Sequence, residues 1–166
     1  RGLAQSCGDA MTVTESRTLA LPDEAATARL AQAVARLARP GDAILLAGPY
    51  GAGKTAFARA FLRSATGDPD LVVPSPSFTL VQTYALPDGV EVWHYDLWRV
   101  AGEDELAELG WDEARAGIAL VEWPERVGNL TPVDALTIAL APVAGDPDAR
   151  VATLTGWPDR LVGLVP

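Results

Sequence analysis

The chain has 166 residues, a mass of 17.4 kDa, a formal net charge of −9 and a pI of about 4.5. Its hydrophobic fraction of 49% and charged fraction of 21% are typical of one globular domain, and no apolar run reaches the ~20 residues of a membrane span. A surface this acidic repels phosphate, which argues against direct nucleic-acid binding as the main activity and against anionic membrane surfaces.

The order of the predicted elements indicates an α/β domain. The first residues lack periodicity as far as the only methionine, so we expect 1–11 to be an N-terminal extension, flexible or not native, and 12–166 to be one domain. Apolar patterns predict strands at 12–21, 43–47, 71–73, 80–84, 90–95, 118–121, 136–140 and 150–154, with turns at 87–89 and 145–148. Periodicity and capping residues predict helices from 24 to before Pro40, from 54 to 65 and from 103 to 109. We therefore expect three layers around a mixed, mostly parallel sheet with an inserted β segment.

The chain has a single cysteine and a single lysine, and each count bears on its environment or its chemistry. Cys7 is the only cysteine, so no internal disulfide can form, which agrees with a reducing compartment and with a cytoplasmic location. Lys54 is the only lysine among thirteen Lys and Arg residues. A position that remains lysine in so arginine-rich a chain is expected to need a compact ammonium group.

A phosphate-binding loop is predicted between the second strand and the second helix. Residues 48–55, GPYGAGKT, match the pattern G-x-x-x-x-G-K-[ST], in which backbone N–H groups and a helix N-terminus surround phosphates. Lys54 is expected to reach the β- and γ-phosphates, and the Thr55 hydroxyl to bind Mg²⁺. The motif predicts a P-loop NTPase; the alternative is a glycine-rich connection with a solvent-exposed lysine.

A metal-binding acid is predicted at the end of a second buried strand. NTPases hold the metal with a carboxylate that follows a strand beside the phosphate loop, and Glu122 follows the apolar run 118–121. The alternative is a strand-end acid that faces solvent.

Two clusters between these motifs are candidates for acting on the attacking water. The segment 74–80 is a proline-containing loop whose hydroxyls, on Ser75, Ser77 and Thr79, suit a switch that senses the γ-phosphate. Asp96 leaves a strand among aromatic residues, where a partly desolvated carboxylate can position water or accept a proton. The alternative for Asp96 is a structural hydrogen bond to the loop.

Three neighbouring side chains are open to more than one reading. His94 is expected to be a packed or hydrogen-bonded strand residue rather than a catalytic one. Arg99 either pairs with Asp96 or a glutamate, or is a surface charge. Trp123, directly after Glu122, is the tryptophan whose position suggests a role at the site.

Taken together, the motifs resemble the TsaE family, also called the YjeE family, which are bacterial ATPases of tRNA threonylcarbamoyladenosine biosynthesis. The resemblance covers about residues 16–140 and rests on five stretches in the family's order: LPDEAAT, GPYGAGKT, SPSFTLV, HYDLWR and LVEWPE. The phosphate loop is shared with many NTPases, whereas the last three stretches are far more specific.

The resemblance implies site residues, cofactors and partners. The residues implied to bind ATP or ADP are Glu24, Gly48, Tyr50, Gly51, Ala52, Gly53, Lys54, Thr55 and Glu122. Thr55 and Glu122 would hold Mg²⁺, while Lys54 and Asp96 would be catalytic. The family binds the transferase component and its dimerising partner, and ATP binding and hydrolysis reset that complex. The chain itself would not transfer the threonylcarbamoyl group, and it would meet tRNA only through its partners.

None of the departures from the family pattern removes a proposed catalytic group. Pro49 and Tyr50 replace an acidic residue and leucine, which brings nucleotide affinity rather than mechanism into question, and Tyr50 can stack, hydrogen-bond or merely pack. Ser77 replaces threonine and keeps the hydroxyl. Trp98 replaces tyrosine and keeps the aromatic ring.

Two other functions remain open from the sequence. A small-molecule kinase would use the same phosphate loop, but it needs cations that close over the γ-phosphate, and only Arg126 lies between the second buried strand and Arg150. A nucleotide-gated binding module with little turnover has the same motifs.

Overall fold

The computed structural model describes residues 15–164, so the predicted extension 1–11 and the start of the first predicted strand lie outside the described residues. The strands are β1 Ser16–Leu21, β2 Ala43–Ala47, β3 Val81–Ala85, β4 Glu91–Asp96, β5 Ile118–Glu122, β6 Leu136–Val143 and β7 Asp146–Thr155. The helices are α1 Glu24–Leu37, α2 Lys54–Thr66, α3 Glu103–Glu108 and α4 Trp111–Ala114, and a 3₁₀ segment spans Pro124–Leu130.

All seven strands form one sheet in the order β1-β7-β6-β2-β5-β4-β3. The four central strands, β6, β2, β5 and β4, are parallel, and the remaining strands add antiparallel at the two sides. The prediction of a mixed sheet with a parallel centre is confirmed. The predicted β insertion is the β3–β4 hairpin, which extends the same sheet.

Two apolar cores, one on each face of the sheet, hold the three layers together. Helices α1 and α2 cover one face, where Leu30, Phe57 and Phe61 are fully buried. The helices α3 and α4 and the 3₁₀ segment cover the other face, where Tyr95 and Trp111 pack edge to face at 5.6 Å between ring centroids. Each fully buried large side chain contributes ~1.5–3 kcal/mol to folding.

The ends of the two long helices follow the capping residues in the sequence. The Asp23 carboxylate accepts a hydrogen bond of 2.8 Å from the backbone N–H of Ala26 and starts α1. Helix α2 ends at Gly67, whose φ of 73° is the left-handed conformation that glycine adopts without strain.

Three details of the predicted secondary structure are wrong. Residues 71–73 form no strand: Pro74 and Pro76 follow them, and the Leu71 carbonyl accepts from Arg63 Nε at 3.0 Å. The last hairpin turns at 144–145, so that residues 146–148, predicted as a turn, already belong to β7. Helix α4 and the 3₁₀ segment were not predicted, because elements this short carry too little periodicity.

Candidate functional site

The phosphate loop joins β2 to α2, as the motif predicts. Gly48 has a φ of 140° and Gly53 a φ of 99°, both in the range that favours glycine. A Cβ on Gly48 would overlap the carbonyl oxygen of Leu140, so this position also needs glycine for space. Local conformation and packing against β6 together dictate the shape of the loop.

Lys54 is buried inside the loop, with 5% of its surface exposed. Its Nζ donates to the carbonyl oxygens of Gly48 at 2.5 Å and Pro49 at 2.8 Å, and it lies 3.8 Å from the ring centroid of Trp123. Burial lowers the pKa of Lys54 below its ordinary value, while Glu122 and other nearby carboxylates oppose that shift. The alternative of a solvent-exposed lysine is therefore wrong.

Glu122 lies at the carboxyl end of β5 and is buried next to the start of α2. The Thr55 hydroxyl donates to Glu122 Oε1 at 2.8 Å. This hydrogen bond joins the two residues predicted to hold a metal, although 67 residues separate them in the chain. The alternative of an acid facing solvent is wrong.

The second carboxylate oxygen of Glu122 is bound by His94. The imidazole is fully buried, and its Nε2 donates to Glu122 Oε2 at 2.7 Å, since the carboxylate oxygen is the acceptor. His94 is thus the hydrogen-bonded strand residue that the sequence predicts. Its partner was missed, because it depends on the β4–β5 register, which pairs His94 with Leu120 and places Glu122 two residues further on the same face.

Asp96 ends β4 directly beside Glu122, its partner in the parallel register. Its Oδ1 accepts from the backbone N–H of Trp98 at 3.1 Å. Its Oδ2 accepts from the hydroxyls of Ser75 at 3.4 Å and Ser77 at 3.3 Å. The carboxylate therefore makes the structural hydrogen bonds to the loop that the sequence offered as an alternative, and it also lines one cavity with Lys54 and Glu122.

A cavity of about 320 Å³, called the central cavity below, brings most of the predicted residues together. Its lining includes Tyr50, Gly51, Gly53, Lys54, Thr55, Ser75, Ser77, Asp96, Glu122 and Trp123. Gly48 and Ala52 belong to the phosphate loop but do not line the cavity. Thr79 lies outside it, where its hydroxyl accepts from Gln82 Nε2 at 3.1 Å. Glu24 lines an adjoining cavity of about 430 Å³ that shares Gly53 and Ala56 with the first.

Exposed aromatic rings lie at and next to the central cavity. Tyr50 lines it, Phe78 follows the lining residue Ser77, and Trp98 lies against the lining residue Trp123. Tyr50 is 94% exposed and Phe78 82% exposed, so Tyr50 does not merely pack against the protein. Trp98 lies 4.4 Å from Trp123 between ring centroids. Arg99 is exposed and lies over the Phe78 ring at 4.8 Å from the centroid. Among residues 15–164 it pairs with neither Asp96 nor a glutamate, so it is the surface charge of the two alternatives.

Arg150 is a supporting residue that the sequence analysis missed. From β7 its Nε donates to the Ala52 carbonyl and its Nη2 to the Gly51 carbonyl, both at 3.1 Å. The two hydrogen bonds attach the phosphate loop to the β6–β7 hairpin. No local pattern could indicate this contact, because 98 residues separate Arg150 from Ala52.

The chemistry of these donors suits a magnesium–nucleotide complex. Among residues 15–164 there is no group of three His, Cys, Asp or Glu side chains that could hold a metal without other ligands. The Thr55 hydroxyl and Glu122 carboxylate are hard oxygen ligands, and Mg²⁺ usually takes one or two such ligands, with phosphate and water supplying the rest. The glycine-lined loop and Lys54 lie beside these two ligands and are suited to binding the phosphate groups of the nucleotide.

Comparison with known proteins decides the family. The family model described as "Threonylcarbamoyl adenosine biosynthesis protein TsaE" matches residues 21–150. The chain belongs to the TsaE family. Its family membership assigns it to tRNA threonylcarbamoyladenosine biosynthesis.

Individual relatives agree with this assignment over most of their length. The chain is 34% identical to the TsaE protein of Rickettsia bellii over 146 residues, which is 87% of this chain and 98% of the relative. It is 37% identical to the TsaE protein of Bacillus subtilis, with 84% of each chain covered. The crystal structure of Bacillus subtilis YdiB superposes with a TM-score of 0.68 at 28% identity, covering 89% of each chain. In the described part of this TsaE chain, no helix is long and apolar enough to cross a membrane.

Proposed function

We propose that this TsaE protein is a Mg²⁺-dependent ATPase that resets the complex which transfers the threonylcarbamoyl group to tRNA, without transferring the group itself. The observation that carries the proposal is the convergence of Lys54, Thr55, Asp96 and Glu122 on one cavity. Each of these side chains is a type that phosphoryl transfer to water requires.

Nucleotide binding uses the phosphate loop. Lys54 gives up the Gly48 and Pro49 carbonyls for phosphate oxygens, and the N–H groups at the start of α2 add hydrogen bonds. Tyr50, at the open side of the cavity, is free to stack on the base or to bind its edge. Glu24 extends the site into the adjoining cavity. ATP and ADP are the proposed ligands.

Metal binding uses Thr55 and Glu122. Bound Mg²⁺ supplies positive charge that neutralises phosphate oxygens during the reaction. His94 holds Glu122 by one carboxylate oxygen, so that the other oxygen remains directed at the Thr55 hydroxyl. His94 is therefore a positioning residue for the metal ligand.

Asp96 is the proposed residue that orients the attacking water and accepts its proton. The carboxylate is nearly buried, next to Glu122, and faces the cavity. Ser75 and Ser77 contact its Oδ2 at 3.3–3.4 Å, so a movement of this loop would change the surroundings of Asp96. The loop is proposed to sense the γ-phosphate in this way, as a switch does.

The proposed partners are the transferase component and its dimerising partner. Tyr50 at the cavity and Phe78 and Trp98 next to its lining residues are exposed, and exposed aromatic residues of this kind are typical of protein interfaces. A net charge of −9 supports contact with tRNA only through these partners. The cytoplasm, where tRNA is modified, is the proposed location.

The test is Mg²⁺-dependent ATP hydrolysis by the chain, without partners and mixed with both purified partner proteins, with Lys54→Ala as the inactive control. Hydrolysis that is slow without partners and faster in the mixture supports the proposal. A rate of ATP turnover that does not change with the partners but rises with a small-molecule acceptor would instead identify a kinase. Binding of ATP without turnover in any mixture would identify a nucleotide-gated module.

A further inference from the structure

Positive charge is concentrated on one face of this acidic protein. Helices α1 and α2 carry five of the chain's thirteen Lys and Arg residues but only one of its 22 Asp and Glu residues. The two helices are therefore net +4 in a chain of net −9, which leaves −13 for the remainder. Four of these five cations are arginines, and none of the four lines a cavity of the proposed nucleotide site.

The positive face is concave. A groove of about 480 Å³ runs between the two helices, and it shares only Ala56 with the nucleotide cavity. Its walls carry Arg36, Arg59 and Arg63, and its floor consists of small apolar residues. The floor residues are Ala28, Ala56 and Ala60. Glu24 lies at the opposite end of α1 from Arg36, so the cationic part of the groove is the end where both helices finish.

The three arginines have no carboxylate partner. In the part of the chain that the structure describes, the ion pairs are His94–Glu122 and Arg160–Asp42. Arg63 is oriented by a hydrogen bond of 3.0 Å from Nε to the Leu71 carbonyl, which leaves its two terminal nitrogens for a ligand. Arg59 and Arg63 are half-buried and Arg36 is exposed. Guanidinium groups without counter-charges are suited to binding a carboxylate through two parallel hydrogen bonds.

We propose that the α1/α2 groove docks an acidic, amphipathic segment of a partner protein. Carboxylates of that segment pair with Arg36, Arg59 and Arg63, while its small apolar side rests on the alanine floor. The alanine floor favours a peptide over RNA, since a sugar–phosphate backbone has no apolar side to place there. The charge of −13 outside the helices also opposes a long polyanion more than a short acidic segment. The three arginines line neither cavity of the proposed nucleotide site, although Glu24 and Ala56 line both the groove and that site.

The probe is a fluorescent peptide of about 16 residues, composed of Glu, Ala and Leu, with the glutamates on one helical face at i, i+4 spacing. A scrambled peptide of the same composition is its control. Binding to the full chain is measured by fluorescence anisotropy, with single-stranded RNA and inorganic tripolyphosphate as competitors. The test variants are Arg36→Glu, at an exposed position, and Arg59→Glu, at a half-buried one. The matched control is Arg126→Glu, an exposed arginine on the 3₁₀ segment. Thermal melting and basal ATP hydrolysis verify that each variant is folded.

The proposal expects the patterned peptide to bind about tenfold tighter than the scrambled one, because paired carboxylates make charge-assisted hydrogen bonds. Arg36→Glu and Arg59→Glu should each raise the Kd about tenfold, with Arg126→Glu unchanged and ATP hydrolysis intact in all three. Equal binding of the two peptides, or an unchanged Kd in both groove variants, overturns the proposal. Displacement of the peptide by RNA or tripolyphosphate at a lower concentration than the peptide's own Kd also overturns it, in favour of a general polyanion site.

Discussion

His94 donates a hydrogen bond of 2.7 Å to Glu122 across two neighbouring parallel strands, inside the sheet. Both side chains are nearly inaccessible to water. A buried carboxylate needs such a partner to stay in one orientation, and outer partners of this kind commonly alter metal affinity by 10–100-fold. The pair links the interior of the protein to the proposed metal site.

Replacing His94 should weaken metal binding before it weakens nucleotide binding. In His94→Leu, Glu122 loses its partner, and we expect the affinity for Mn²⁺ in the presence of ADP to fall about tenfold or more. His94→Gln, whose amide can still donate, should recover part of the loss. Electron paramagnetic resonance of Mn²⁺ measures the affinity, and calorimetry of ADP without metal is the control. Equal metal affinity in all three proteins would contradict the positioning role.

Asp96→Asn should separate binding from turnover. The amide oxygen can still accept from the Trp98 N–H, but the side chain can no longer take a proton. We expect Mg·ADP affinity to stay within about threefold, and hydrolysis to fall about 100-fold or more, as is usual when a general base is lost. Calorimetry measures the affinity for Mg·ADP, and steady-state phosphate release measures the rate of hydrolysis. If affinity falls together with turnover, Asp96 belongs to the binding site and not to the reaction.

Arg150→Met should loosen the phosphate loop from β7, where Arg150 lines the adjoining cavity and not the central one. The variant keeps much of the side-chain volume but loses both donors to the Gly51 and Ala52 carbonyls. We expect the Kd for ADP to rise about tenfold, because hydrogen bonds from a charged donor are worth ~1.5–3 kcal/mol each. Arg126→Met, on an exposed position, is the matched control. An unchanged Kd in Arg150→Met would show that the loop keeps its shape without this attachment.

Stability should decline at alkaline pH because of Tyr95. Its hydroxyl is buried and donates to the Leu109 carbonyl at 3.1 Å, and burial raises its pKa well above the ordinary 10.0. Above pH 10.0 the unfolded chain loses this proton while the folded protein keeps it, so the free energy of unfolding falls as pH rises. One such group contributes a slope of about 1.4 kcal/mol per pH unit. Urea unfolding from pH 9 to 11 should show a shallower decline in Tyr95→Phe than in the wild type, and parallel declines would exclude Tyr95 as the cause.

The sequence predicted features that are local and missed those that depend on register. Residues 48–55 are contiguous, so their motif reports both the loop and its position between a strand and a helix. Glu122 and Asp96 could be predicted to lie close together because each ends a strand of the sheet, and the structure places both at one cavity. The bonds from His94 to Glu122 and from Arg150 to Ala52 join distant segments, and only the strand order and pairing bring them together. The strand predicted at 71–73 shows the opposite limit, since Leu71 and Val73 contribute to the core without pairing with the sheet, while Val72 is exposed.

The parallel pairing of β4 with β5 has a consequence for quality control of the protein. A slip of one residue in this pairing would turn either His94 or Glu122 to the opposite face of the sheet, and Asp96 would lose its place beside Glu122. A chain with the wrong register could therefore retain much of its helix content and still fail to bind a nucleotide. Because a ligand stabilises only the state that binds it, a nucleotide bound at the proposed site would selectively protect correctly paired molecules from proteolysis.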